Sequence, residues 1–220
     1  RRYFTEFPSS SGFVLVSANR AVFITDSRYF EAAEKKSKAD KTVLQTKIDE
    51  QIKEFFSAEN VKTVGIEASR LTVQELSHYE NALNGVCGVD FSDELDVIVK
   101  SLRDVKTESE LEKITRAQRI AEEGLDHILG FIAPGKTEKE IQLELDFYML
   151  SHGAEALSFE TICAGGANSS VPHAVPSEKK IEYGEFIVID FGALYEGYHS
   201  DMTRTVAVGA CSDEMKTVYN

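Results

Sequence analysis

Two aspartates, Asp190 and Asp201, stand in the stretch Phe186-Ile187-Val188-Ile189-Asp190-Phe191-Gly192-Ala193-Leu194-Tyr195-Glu196-Gly197-Tyr198-His199-Ser200-Asp201-Met202-Thr203-Arg204-Thr205. If Glu196-Gly197 forms a hairpin turn, Tyr195 lies opposite Tyr198, Gly192 opposite Asp201 and Asp190 opposite Thr203. The two aspartates then share a face as diagonal neighbours, with Cβ atoms ~7–8 Å apart or somewhat less. Carboxylates brought together repel, so such a pair holds a cation or shares a proton. An Asp in a hairpin is ordinarily a solvated edge or turn residue. Here the shared face and the apolar flanks favour a site, because an unpaired carboxylate within Phe186 to Phe191 would be costly. A catalytic ion commonly takes three protein ligands, so two aspartates require donors from elsewhere.

The other polar candidates are weaker. His173 lies in Val171-Pro172-His173-Ala174-Val175-Pro176, inside a loop containing Gly165, Gly166, Asn168 and Ser169, where a His is ordinarily a surface residue. His199 is expected on the sheet face opposite Asp201 and is read as structural. His78, His127 and His152 fall on predicted helices or their ends and are read as solvated or satisfied. Cys163 follows an apolar strand and reads as a small buried hydrophobe. Gly165-Gly166 lacks the Lys and Ser/Thr of a phosphate loop.

The elements that must position these residues fall into two textures. Early in the chain, Phe13 to Val16 and Ala21 to Ile24 read as antiparallel strands. Ile48, Ile52, Phe55 and Phe56 recur at helical spacing, Thr63 to Ile66 reads as a strand, and Val73 to Asn84 as a helix. Strands alternating with helices indicate an α/β domain. From Thr107 the pattern changes. Thr107 with Glu110 fits a capping box opening the series Leu111, Ile114, Ala117, Ile120, Leu125 and Ile128, and Thr137 with Glu140 opens a second helix after Pro134-Gly135. A strand from Phe159 to Cys163, a loop from Ala164 to Ser177 and a hairpin from Glu185 to Val208 follow. The boundary falls around Ser101 to Thr107, giving domains 1–103 and 104–220.

Charge and cysteine usage narrow the partners. With 24 Lys and Arg against 37 Asp and Glu, the net charge of −13 repels phosphate backbones and anionic headgroups, so neither nucleic acid nor a membrane surface is expected. Cys87, Cys163 and Cys211 are too scattered for a disulfide framework, which suits a reducing cytoplasm. The first eight residues lack the apolar run of a signal peptide. The first residue is Arg, so a few residues are expected to precede it.

The frame around Asp190 and Asp201 resembles the first two metal ligands of the pita-bread metallopeptidases, the group containing prolidase, aminopeptidase P and, more distantly, methionine aminopeptidase. Leu102 to Glu110 resembles the entry to that family's catalytic domain. Ile132 to Glu138 resembles its first helix-to-helix turn, and Ser158 to Ile162 with Gly165 to His173 its pocket lining. The first hundred residues, including Ile24-Thr25-Asp26-Ser27-Arg28-Tyr29, resemble the creatinase-type N-terminal domain. The resemblance implies an α/β creatinase-like domain followed by an α+β pita-bread domain. It also implies a homodimeric exopeptidase that cleaves between an N-terminal residue and proline in peptide substrates. Asp190 and Asp201 would bind two divalent ions, Mn or Co with Zn also accommodated, and His173 would hydrogen-bond the substrate. The family's remaining His and two Glu ligands would lie beyond Asn220, so the chain is expected to be cut short and inactive by itself. A non-catalytic module of the same fold that binds peptide or protein is the alternative. A creatine-hydrolysing enzyme is a weaker one, since nothing would then hold the two aspartates together.

Overall fold

The structure, a computed structural model, describes residues 1–219. The chain divides into two compact units, Arg1–Val105 and a second from Lys106 onward. No helix among the described residues is long and apolar enough to cross a membrane.

In the first unit the apolar runs form strands Phe13–Val16 and Ala21–Thr25, paired antiparallel, and Lys41–Leu44 joins Ala21–Thr25 in parallel. The parallel step needs a crossover, supplied by helix Ser27–Lys36, whose first turn is capped by the Asp26 carboxylate. Helices Ile48–Ala58 and Val73–Leu83 bury Ile52, Phe55, Phe56 and Leu83 with Leu15, Val22 and Ile24 in one core. Two helices here are not among the expected elements. Ser27–Lys36 buries only Ala33, and Glu94–Asp104 buries none of its residues.

The second unit begins with helices Glu108–Phe131 and Glu138–Ser151. Both open with complete capping boxes, Thr107 with Glu110 and Thr137 with Glu140. Their facing sides bury Ala117, Ile120, Ala121 and Ile128 against Ile141, Leu145 and Met149, all fully inaccessible. Burying an Ile, Leu or Met contributes about 1.5–3 kcal/mol, so this seam anchors the unit.

Against the helices lie two three-stranded antiparallel sheets. One has the order Met202–Ala207, Phe186–Phe191, Ile162–Gly165, and the other Tyr198–His199, Ala193–Tyr195, Ala156–Leu157. Along Phe186–Phe191 burial alternates. Ile187, Ile189 and Phe191 are fully buried in the helix-backed core, while Phe186, Val188 and Asp190 are half-buried on the opposite face. The third strand runs from Ile162 to Gly165 and not from Phe159 to Cys163 as expected. Phe159, Glu160 and Thr161 instead line a groove.

The hairpin register is the one that the Glu196-Gly197 turn dictates. Tyr195 pairs with Tyr198, His199 with Leu194, and Thr203 with Asp190. Glu196 and Gly197 both have positive φ, 46° and 88°, the requirement of a type I′ turn. The ladder breaks where the two sheets meet. There Ser200 donates its N–H to the Ala193 carbonyl at 2.9 Å, and its hydroxyl accepts from Ala193 N–H at 2.9 Å. The Ser200 hydroxyl also lies 3.2 Å from the Ala117 carbonyl, joining the hairpin to the long helix. Gly192 faces this crossing, and a Cβ there would lie 2.0 Å from the Ser200 carbonyl oxygen. Gly192→Ala is therefore expected to destabilise the protein by at least about 1–3 kcal/mol, the cost of overpacking. Urea denaturation checks this, and an unchanged midpoint would contradict the packing described.

Candidate metal centre

Asp190 projects from the sheet face that carries no helix. Thr203, directly opposite in the ladder, donates its hydroxyl to Asp190 Oδ1 at 2.7 Å. The other oxygen of Asp190 takes no hydrogen bond among the described residues, and the exposed Asp201 makes neither a hydrogen bond nor an ion pair with them. Both line a groove of about 720 Å³, together with His173 and the segments 159–162 and 174–176. His199, two residues before Asp201, is exposed and is not part of that lining, because the ladder breaks at Ser200 and Asp201.

His173 reaches the groove on a loop held from below by a carboxylate that sequence reasoning did not single out. Glu138 is 1% exposed. Its Oε1 accepts from Gly165 N–H at 2.8 Å and from the Asn168 amide at 3.0 Å. Its Oε2 accepts from Ser177 N–H at 3.0 Å and the Ser177 hydroxyl at 2.6 Å. Burial by itself pushes the carboxyl upward, but hydrogen bonds from Ser177, Gly165 and Asn168 outweigh it and hold the group below its ordinary value. The backbone reinforces the clamp, with Glu138 N–H donating to Lys179 and Lys139 N–H to Ser177. Between the clamped ends, His173 is exposed with φ 57°. That left-handed conformation costs a non-glycine residue roughly 1–2 kcal/mol, and such local strain clusters at functional sites.

A second buried carboxylate supports the groove wall. Asp146 accepts from the Thr161 hydroxyl at 2.5 Å and from the Gln142 amide at 3.1 Å. Burial outweighs these bonds and pushes its carboxyl up. Cys163, fully inaccessible, has its thiol pushed up to about 12 by burial and then by the charges of Glu138 and Asp146, so it is an inert core residue. His78 and His127 are satisfied by Asp49 at 3.0 Å and Glu144 at 2.7 Å.

Hard oxygen donors with free lone pairs on one groove fit a divalent cation. The set is not closed: among the described residues, no three His, Cys, Asp or Glu side chains gather to hold a metal ion.

The second unit is thus a helix-backed antiparallel sheet presenting two aspartates on its helix-free face, and the first is a separate α/β unit. The model of Metallopeptidase family M24 matches residues 112–220, and that of the Creatinase/Prolidase N-terminal domain matches residues 1–105. The chain belongs to this creatinase/prolidase family of metallopeptidases. It is 38% identical to an uncharacterized peptidase of Bacillus subtilis, covering 99% of this chain and 61% of that protein. Against the Xaa-Pro dipeptidase of Pyrococcus furiosus it is 34% identical, covering 96% of this chain and 58% of the relative. The solved Xaa-Pro dipeptidase of Bacillus anthracis superposes with TM-score 0.89 at 40% identity, over 100% of this chain and 61% of that one. The solved X-Pro aminopeptidase of Thermotoga maritima gives 0.90 at 36%, over 99% and 61%. The chain thus spans about three fifths of the length of these relatives.

Glu138→Gln should cost about 2–4 kcal/mol, because an amide cannot accept from all four donors and leaves buried N–H groups unpaired. The pH dependence has a defined sign. A carboxyl held low in the fold contributes fully above the ordinary carboxylate range, and the contribution is lost as pH falls through its folded value. Stability followed by urea midpoint should therefore fall less steeply below about pH 4.5 in the variant than in the parent. Parallel pH profiles would contradict the clamp.

Proposed function

We propose that this chain forms part of a metal-dependent exopeptidase that hydrolyses the bond between an N-terminal residue and proline. The observation that carries the reading is that Asp190, Asp201 and His173 line one groove, in which neither aspartate has a cationic partner among the described residues. Asp190 would hold one divalent cation there and Asp201 would contribute to two, with Mn or Co favoured over Zn. Bound metal supplies Lewis acidity and, from water, a nucleophile at neutral pH. Thr203 fixes the Asp190 carboxylate so that one oxygen stays directed by its hydrogen bond and the other remains available. His173 donates a hydrogen bond to the peptide carbonyl as it gains negative charge, a role suited to imidazole near neutrality. Support comes also from relatives named as Xaa-Pro dipeptidase and X-Pro aminopeptidase, and both dipeptides and longer peptides fit that range. The working protein is a homodimer of the cytoplasm in this reading.

The open donor set favours one qualification: the 220-residue chain by itself hydrolyses nothing, since two aspartates without a third ligand bind cations weakly. The same observation keeps a peptide-binding module as the second reading, while the paired free carboxylates favour the enzyme.

The test is turnover of Xaa-Pro peptides with added Mn or Co. Asp190→Asn and Asp201→Asn in the full-length gene product should each remove most activity without unfolding it, because an amide keeps the shape and loses the charge. Full activity in either variant would refute the assignment. Turnover by the 220-residue chain comparable to the full-length product would show that it contains ligands not named above.

A further inference from the structure

Gly165-Gly166, which the proposed chemistry leaves without a role, lies beneath a charged pair. Lys179 Nζ donates to both oxygens of Glu185, at 2.9 and 3.0 Å, and to the Lys180 carbonyl at 3.3 Å. Glu185 Oε1 accepts in addition from Glu182 N–H at 2.9 Å. The Glu185 side chain is 16% exposed and that of Lys179 30%, so the pair is less screened than one in open solvent. Its fit to the glycines is close. A Cβ on Gly165 would lie 2.9 Å from Glu185 Oε1 and 3.3 Å from Lys179 Nζ, and one on Gly166, whose φ is 52°, would collide with Glu185 Oε2. Any side chain at either position would push the carboxylate away.

The segments that meet here are those that shape the groove. Strand Ile162–Gly165 ends at Gly165, and Gly166 opens the loop that carries His173. The ladder to strand Phe186–Phe191 ends at the same point, with Gly165 opposite Ile187. The charged pair takes over where that ladder stops. Glu185 immediately precedes the strand that carries Asp190. Lys179 follows Ser177, where the loop returns, and its carbonyl accepts from Glu138 N–H at 3.0 Å. Glu138 thus ties the loop to the helix, and Lys179 with Glu185 ties both ends of the same loop to the aspartate strand.

We propose that Lys179 and Glu185 are positioning residues for His173, their ion pair holding the histidine loop against the strand that carries Asp190. The inference rests on the peptidase reading and deepens it, because it assigns the placing of His173 relative to the aspartates to a pair that does not line the groove.

Two measurements test it. In the 220-residue chain, NMR order parameters report the loop without metal or substrate. The parent should show His173 and its neighbours near the rigid value of about 0.85, and Glu185→Gln should lower them below about 0.6 while Phe186–Phe191 stays rigid. Lys179→Met should do the same, and it is the milder change, since Glu185 keeps the Glu182 N–H and the aliphatic stem still covers the glycines. In the full-length gene product with Mn or Co, either variant should lower kcat for an Xaa-Pro peptide roughly tenfold or more with KM little changed, because the hydrogen bond at stake forms as the carbonyl gains charge. In a His173→Ala background the same substitutions should cost less than about twofold, the coupling expected of residues that act through one another. A merely structural role would cost as much in either background. Order parameters that the substitutions leave unchanged, or a kcat loss that persists without His173, would overturn the assignment and leave the peptidase reading standing. A parent product that turns over no Xaa-Pro peptide would instead overturn the peptidase reading, and the positioning role with it.

Discussion

A carboxylate sealed from water must be given donors, and in the second unit that requirement fixes the loop that forms one wall of the groove. Glu138 accepts four hydrogen bonds from three residues of one loop. An ionised carboxylate left unpaired at this depth would cost far more than a typical hydrogen bond returns, so the loop cannot leave without carrying that penalty. Gly165 and Ser177, the two clamped ends, are thereby tied to the first turn of a helix whose other residues pack into the main core. The loop between them bears His173 in a conformation it would not choose alone. Rigidity at the ends and strain in the middle are two aspects of one arrangement.

The groove is then the meeting of two independently determined pieces. Its floor is the helix-free face of a hairpin whose register follows from a two-residue turn and from the close approach at Gly192. Its wall is the loop and the helix face beneath it. The floor carries two aspartates that make no ion pair among the described residues. Self-repulsion of this kind is tolerated in stable proteins where a ligand of opposite sign completes the site. That is the physical reason to connect the groove with cations.

How much of this was legible in the sequence depends on the range of the causes. The hairpin was legible because Glu196-Gly197 and the alternation around Asp190 are local, and two-residue turns admit one register. The capping boxes at Thr107 and Thr137 were legible for the same reason. Family resemblance named His173 where its residue context alone pointed to an ordinary surface histidine. Glu138 was quoted only as part of a turn, since an acid in the first turn of a helix is an ordinary dipole partner and the residues that bury it lie far along the chain. Asp146 was obscured because helix Glu138–Ser151 leaves Leu143 and Phe147 exposed while burying two acids, against the usual polarity. Ser27–Lys36 escaped because polar side chains dominate it, whereas Glu94–Asp104 carries Leu95, Ile98, Val99 and Leu102 at helical spacing and was legible without being read. The strand that begins at Ile162 was placed early because Phe159 and Thr161 serve the groove instead of a ladder.

The central claim is that the hairpin aspartates and the loop histidine share one cation-accepting groove, and paramagnetic broadening by Mn²⁺ tests it most directly. Amide signals of the 220-residue chain would be followed as the ion is added at substoichiometric levels, for the parent and for Asp201→Asn. The account predicts broadening centred on residues flanking Asp190, Asp201 and His173 in the parent and its loss in the variant. Broadening spread over the acidic surface, or centred elsewhere and unchanged by the substitution, would contradict it.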